Sequence, residues 1–236
     1  MKPSLQLGLL LVLASCAPAE VLDRVAASVN NTPILLSQVD EAARFAAFFD
    51  GRKPASITDA DRGAALARVI DQELIRQQIR RTEFTGATDA EVATKINELR
   101  KQLPSGSSDA AWRSALAQFE VDESDLTEYV RNQLDELLFI DLRFRPNVHI
   151  GDTEIETYYR AEFLPKLQRA GAQEKPLSEV RAEIEEILLQ QQVNRIFNVW
   201  LQGLRAEGRV RVLISFGAPR TAAEQAAVPD GSTQPK

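Results

Sequence analysis

One histidine and one cysteine are all that the chain offers of the side chains most used for proton transfer, nucleophilic attack and soft-metal binding. His149 stands in PNVHIGD, with no second histidine and no serine or cysteine motif around it. It reads as an exposed loop histidine rather than a general base. Cys16 falls in the N-terminal leader, so the body beyond it can form no disulfide and carries no thiol nucleophile. With one histidine left there is no His/Cys metal cage. No loop has the D-x-D-x-D-G spacing that would suggest a carboxylate site for calcium. Asp71 and Glu73 lie in a striped helix, and that placement alone does not define an acid–base pair. Glu183, Glu185 and Glu186 fall on a helix face beside basic partners, the pattern of solvated surface. Arg143, Arg145 and Arg160 flank the break at Pro146. They form either a local basic patch or, for Arg143 and Arg145, helix-end cations favoured by the macrodipole. Trp112, Phe163, Phe197 and Trp200 recur at helical spacing and read as core. From these residues we expect no catalytic site, no metal and no cofactor.

The charge balance narrows the partners. The chain carries 28 Lys and Arg against 34 Asp and Glu, and losing Lys2 with the leader leaves 27 basic residues and a net charge of −7. That opposes nucleic-acid binding, which needs a basic footprint. Residues 1–19 read as a signal peptide: Lys2 precedes the apolar stretch Leu5 to Ala14, too short to span a bilayer. Two processing sites compete. Ala17-Pro18-Ala19 would release the chain at Glu20, whereas Leu13-Ala14-Ser15-Cys16 resembles the lipobox of bacterial lipoproteins and makes Cys16 a lipidation candidate. Residues 217–236, with three prolines and no aromatic residue, read as a disordered tail.

The remaining body, about 215 residues, is long enough for a real core. It opens on VAASVNNTPILLSQVD. Val25, Ala27 and Val29 alternate with Ala26 and Ser28 as in a half-buried strand. Asn30-Asn31 is turn chemistry. Ile34 to Leu36 resume an extended run, and Ser37 is placed to cap a helix with Asp40 answering. A lone hairpin is marginal in water, so this one needs a further strand or a helical body. Helices follow: one to Phe49; a long one capped by Thr58 and Asp61 with Leu66, Val69, Ile70, Leu74, Ile75 and Ile79 as its stripe; one opened by Thr88 and Glu91. A short helix holds Trp112, Leu116 and Phe119, and Asp122 caps another that Pro146 stops. The longest periodic run extends from Leu177 to Leu204, with Gly208 at its expected C-terminal cap. Arg209 to Ile214 then alternates as a strand. It is the partner the opening hairpin lacks.

The opening segment, the helix LARVIDQELIRQQ, the TDAEV helix start, the RFRPNVHI turn and GDTEIETYY together resemble the SurA-type periplasmic chaperones. PLSEVR at 176–181 is similar to the start of that family's C-terminal helix. In the family a parvulin isomerase domain intervenes; here only residues 160–175 do, against the roughly 90 to 100 residues such a domain needs. Its glycine-rich stretch and histidines are absent. The resemblance implies a mainly α fold with a small antiparallel β element, a SurA N-terminal-like helical body over 20–150. A connecting helix and loop over 151–175 would follow, and a C-terminal helix and strand over 176–216 would close the body. It further implies a non-enzymatic periplasmic holdase for unfolded outer-membrane or secreted polypeptides, gripping them on a concave apolar surface between long helices. No residue is singled out for client contact. A prolyl isomerase-family foldase and a structural or assembly lipoprotein stand as alternatives.

Overall fold

The computed structural model describes residues 23–216. Cys16, the leader and the tail 217–236 lie outside the described residues. The hairpin forms where the turn chemistry puts it. Strands β1 (Val25–Val29) and β2 (Thr32–Leu35) pair antiparallel around Asn30 and Asn31, whose φ angles of 50° and 73° are both left-handed, as a two-residue turn of the I′ kind requires. The third strand, β3 (Val210–Val212), pairs antiparallel on the other side of β1, giving the order β2-β1-β3. Both ends of the described chain therefore build one sheet, with β1 at its centre.

Two local expectations fail here for identifiable reasons. A register irregularity between Val25 and Ala27 breaks the strict alternation, so Ala26 and Ala27 are both buried while Val25 is exposed. The Ala26 carbonyl accepts from both Leu213 and Ile214. Helix α1 (Leu36–Phe49) starts two residues earlier than Ser37 capping would need. Gln38 accepts from the Leu35 amide at 2.8 Å, and Ser37 donates its hydroxyl to Asp23 instead. Asp40 turns aside to pair with Arg62 at 2.8 Å.

The other caps form as read. Helix α2 (Asp59–Ile79) opens with reciprocal bonds between Thr58 and Asp61, and α3 (Asp89–Gln102) with the same device between Thr88 and Glu91. A short α4 (Asp109–Gln118) leads to α5 (Glu123–Phe144), capped by Asp122 and ended by a 3-10 turn at Arg145–Asn147. Helix α6 (Asp152–Tyr158) runs through a π turn at Tyr159–Phe163 into α7 (Leu164–Arg169). Helix α8 (Leu177–Glu207) is about 46 Å long at 1.5 Å per residue.

Helix α1 serves two cores with two faces. Val39 and Ala43 pack on the sheet and on Leu66, Ile70 and Leu74 of α2. Phe45 and Phe48 face a second, aromatic core with Trp112, Phe119 and Leu126 from α4 and α5. Phe48 meets the Trp112 and Phe119 rings edge-on, at 5.4 Å and 5.5 Å between centroids. Helix α8 touches the body in three separate places: Val180 and Ile184 on Ile155, Val193 on Ile140 and Phe144, and Leu204 on the sheet core. It behaves as a strut that returns the chain to the sheet.

Asp135 and Arg131 of α5 hold the loop between α2 and α3 by the Ala87 backbone, at 2.6 Å and 2.8 Å. Gly86 permits that approach, because a Cβ there would lie 2.6 Å from the Asp135 carboxylate. Gly208 ends α8 at an ordinary φ of −70° rather than a left-handed one. It is needed for space: a Cβ would lie 2.7 Å from the Leu204 carbonyl and 3.0 Å from Leu74.

Candidate functional site

Most residues with chemical potential are placed in structural roles. His149 is exposed in the connection between α5 and α6. Glu183 and Glu185 are exposed, and Glu186 pairs with Arg145 at 2.6 Å. Arg160 pairs with Glu156, while Arg143 lies over the rings of Trp200, Phe144 and Phe139 at 5.2 to 6.0 Å. The three arginines are thus engaged one by one rather than pooled in a basic patch. Asp71 makes a two-pronged pair with Arg205 of α8.

Glu73 is the buried carboxylate, 4 % exposed. It accepts from Gln77 at 2.9 Å, Arg80 at 2.8 Å and Arg76 at 3.0 Å. Gln77 passes the connection to the sheet: its amide donates to the Val29 carbonyl, and its oxygen accepts from Asn30 at 2.8 Å. Asn30 in turn accepts from the Arg209 amide at 2.9 Å. One chain of polar groups thereby fastens hairpin, α2 and β3. Burial raises the Glu73 pKa, but the bonds from Gln77 and Arg80 outweigh it and leave the carboxyl below its ordinary value. These groups are answered among themselves and leave nothing free for a ligand.

A different arrangement lies between α2 and α5. Three adjoining hollows of about 410, 270 and 130 Å³ run along this seam, and Gln72 lines all three. Tyr129 and Gln133 of α5 line the two larger ones, where α1 contributes Ala42 to both and Gln38 and Glu41 to the largest. Phe197 and Leu201 of α8 close one end. The largest hollow is walled mainly by polar atoms and the two smaller ones mainly by apolar atoms, so the seam is mixed rather than the apolar surface expected for it. Side-chain amides of Gln72, Asn132 and Gln133 offer donors and acceptors beside the Tyr129 and Phe197 rings.

Its carboxylates are poorly compensated. Burial raises the Glu41 pKa, and Asp125 and Glu128 add to the rise. Burial likewise raises Glu136, with Asp71 adding to it. Burial also holds the Tyr129 hydroxyl above its usual range. Among the described residues no group of three His, Cys, Asp or Glu side chains converges closely enough to hold a metal ion. The arrangement suits recognition of a chain rich in amides and apolar side chains. It does not provide a nucleophile with an adjacent base.

A separate hollow of about 460 Å³ between α1 and the segments around Pro54 and Phe119 is larger, and its charged residues are paired, although the buried Arg44 Nε has no hydrogen-bond partner. Arg62 pairs there with Asp40, and Arg44 with Glu120 at 3.1 Å.

The aromatic residues divide. Trp112 is 2 % exposed and is core as read. Phe163, Phe197 and Trp200 are only partly buried but pack against core clusters at the edges of α8, and Phe197 also lines the cleft. Phe163 stacks on Tyr159, and Trp200 meets Phe144 at 5.3 Å. The reason is geometric: α8 presses on its neighbours at intervals, so its rings are covered on one side only. Leu137, Leu138 and Leu142 of α5 and Val199 of α8 stay exposed as well. Sequence reading passed over Glu41, Gln72, Tyr129, Gln133 and Glu136. Their signal was a polar stripe, Tyr129-Gln133-Glu136 on α5 and Arg68-Gln72-Arg76 on α2, which looks the same as a solvated face.

No family model matches the chain, and no curated protein matches it.

Proposed function

We propose that the chain is a periplasmic chaperone that holds unfolded outer-membrane or secreted polypeptides without catalysing a reaction on them. The observation that carries this reading is the open cleft between α2 and α5, lined by amides and aromatic rings and walled by α1 and α8. A holdase must accept many sequences with modest affinity. Amide side chains satisfy a backbone whatever its side chains are, and partly covered rings take apolar residues without demanding one shape. The resemblance of the chain's motifs to the SurA-type chaperones supports the same reading. So does the clasp that joins the chain's early and late segments into one sheet, the closure expected of that body.

The decisive assay dilutes an unfolded porin into buffer with and without the purified protein and follows light scattering. Slower aggregation at near-equimolar protein is expected. Unchanged aggregation together with no binding of aromatic-rich peptides would overturn the reading. Acceleration of a proline-limited refolding step would favour the isomerase-family foldase instead.

A second reading rests on Cys16 standing directly after Leu13-Ala14-Ser15: an assembly lipoprotein docking one partner from a lipid anchor. Mass spectrometry of the mature N-terminus decides whether the body is tethered or free, since acylated Cys16 and a new terminus at Glu20 differ unmistakably. One stable co-purifying complex would favour the lipoprotein, and a broad client spectrum the chaperone.

A further inference from the structure

The holding reading leaves open which segments of a client the cleft prefers, and its charge distribution speaks to that. Glu41 and Glu136 are partly withdrawn from water, yet neither carboxylate is stabilised by a hydrogen bond. The protein's own cations nearby are hydrogen-bonded to other carboxylates, and Arg44 and Arg76 offset the burial of Glu41 and Glu136 only in part. Arg44, on the helix of Glu41, pairs with Glu120; Arg76 pairs with Glu73; Arg205 is taken by Asp71. Arg68 alone among the lining arginines makes no ion pair among the described residues. Against it stand Glu41, Asp125 and Glu128 along the largest hollow and Glu136 along the other two. A partly desolvated carboxylate without a partner costs free energy that an incoming cation would recover.

We propose that the cleft selects extended polypeptide segments in which Lys or Arg alternates with apolar residues, the cations meeting Glu41 and Glu136 while the apolar side chains rest on Tyr129, Phe197 and Leu201. This rests on the holding function proposed above and names the substrate class of that same site. The lining supports both halves: Tyr129 of α5 lines both the hollow that holds Glu41 of α1 and one that holds Glu136, and Phe197 and Leu201 line the latter. Anionic segments meet repulsion at either station.

The test is fluorescence anisotropy of the purified protein with three labelled peptides of one apolar framework, carrying Lys, Gln or Glu at two fixed positions. The Lys peptide should bind about fivefold to tenfold tighter than the Gln peptide, as expected of two new ion pairs in a partly desolvated site, and the Glu peptide weakest. That ratio should shrink with added salt and collapse toward one in the Glu41→Gln, Glu136→Gln double variant. Equal binding of the Lys and Gln peptides overturns the inference and leaves the holding reading standing. So does a preference that survives in the double variant. Binding of none of the three overturns the holding reading and this inference with it. Exchanging charge on the peptide needs no variant, so the result does not depend on the double variant's folding.

Discussion

The clasp and the cleft are both built from helix α2, and they treat polar groups in opposite ways. On the side facing the sheet, Asn30, Gln77 and Glu73 answer one another in an unbroken series, with Arg80 and the cleft-lining Arg76 completing the Glu73 carboxylate. On the side facing α5, Gln72, Glu41 and Glu136 line open space and two of the carboxyls are pushed up by burial. Answered polar groups specify a structure; unanswered ones wait for a partner. The two sides also differ in how the chain closes. The clasp unites strands more than 170 positions apart through backbone pairing such as Val29 with Val210. Across the cleft, three adjoining hollows separate the walls instead.

The comparison can be broken at several points. Gln77→Leu should have the largest effect, about 2–3 kcal/mol of lost stability in urea unfolding, because it leaves the Asn30 amide and the Glu73 carboxylate each short of a buried partner. Asn30→Ala should cost about 1–2 kcal/mol, through a left-handed φ without asparagine's tolerance for it and the loss of two side-chain bonds. Asp71→Ala should cost less than about 1 kcal/mol, since its partner Arg205 is half exposed. Glu136→Gln should move the other way and stabilise by no more than about 0.5 kcal/mol at neutral pH, once solvent screening is allowed for.

Acid sharpens the same contrast, because the two kinds of carboxyl carry opposite signs. Glu73 has a folded pKa below the ordinary 4.5, so its stabilisation is present above that value and is lost as pH falls through the lower one. Glu41 and Glu136 have folded pKa values above 4.5, so their ionisation penalty is relieved as pH falls from neutral towards 4.5. As pH falls from neutral, the melting temperature of Glu136→Gln should therefore lose its advantage over the parent before pH 4.5 is reached, whereas Glu73→Gln should keep its deficit down to pH 4.5 and lose it only below that value. Parallel profiles would contradict the contrast.

Much of the clasp was legible because its signals are local. Asn-Asn between two apolar runs announces a turn, RVRVLI announces a strand, and the Thr58–Asp61 and Thr88–Glu91 pairs announce helix starts. Ser37 misled because two suitable caps stood close together, and Gln38 with Asp23 took the task. The cleft was illegible for a physical reason. Tyr129 stacks on Phe45 beside the Leu126–Val130 stripe of α5, and Gln133 and Glu136 follow it one and two turns on as half-buried polar residues, which in sequence look like the wet border of any amphipathic stripe. Only the seating of α5 opposite α2, fixed by Asp135 and Arg131 on the Ala87 backbone, turns that face inward.

The central claim is that polypeptide is held in the cleft, and a photo-crosslinking amino acid placed at Gln133 tests it most directly. Exposed Lys101, at the end of α3 and away from the cleft lining, serves as the control position. With an unfolded porin present, crosslinks are expected from position 133 and not from 101, and excess Lys-bearing peptide should suppress them. Equal crosslinking from both positions, or none from 133 while aggregation is still slowed, would contradict the account by placing the client elsewhere.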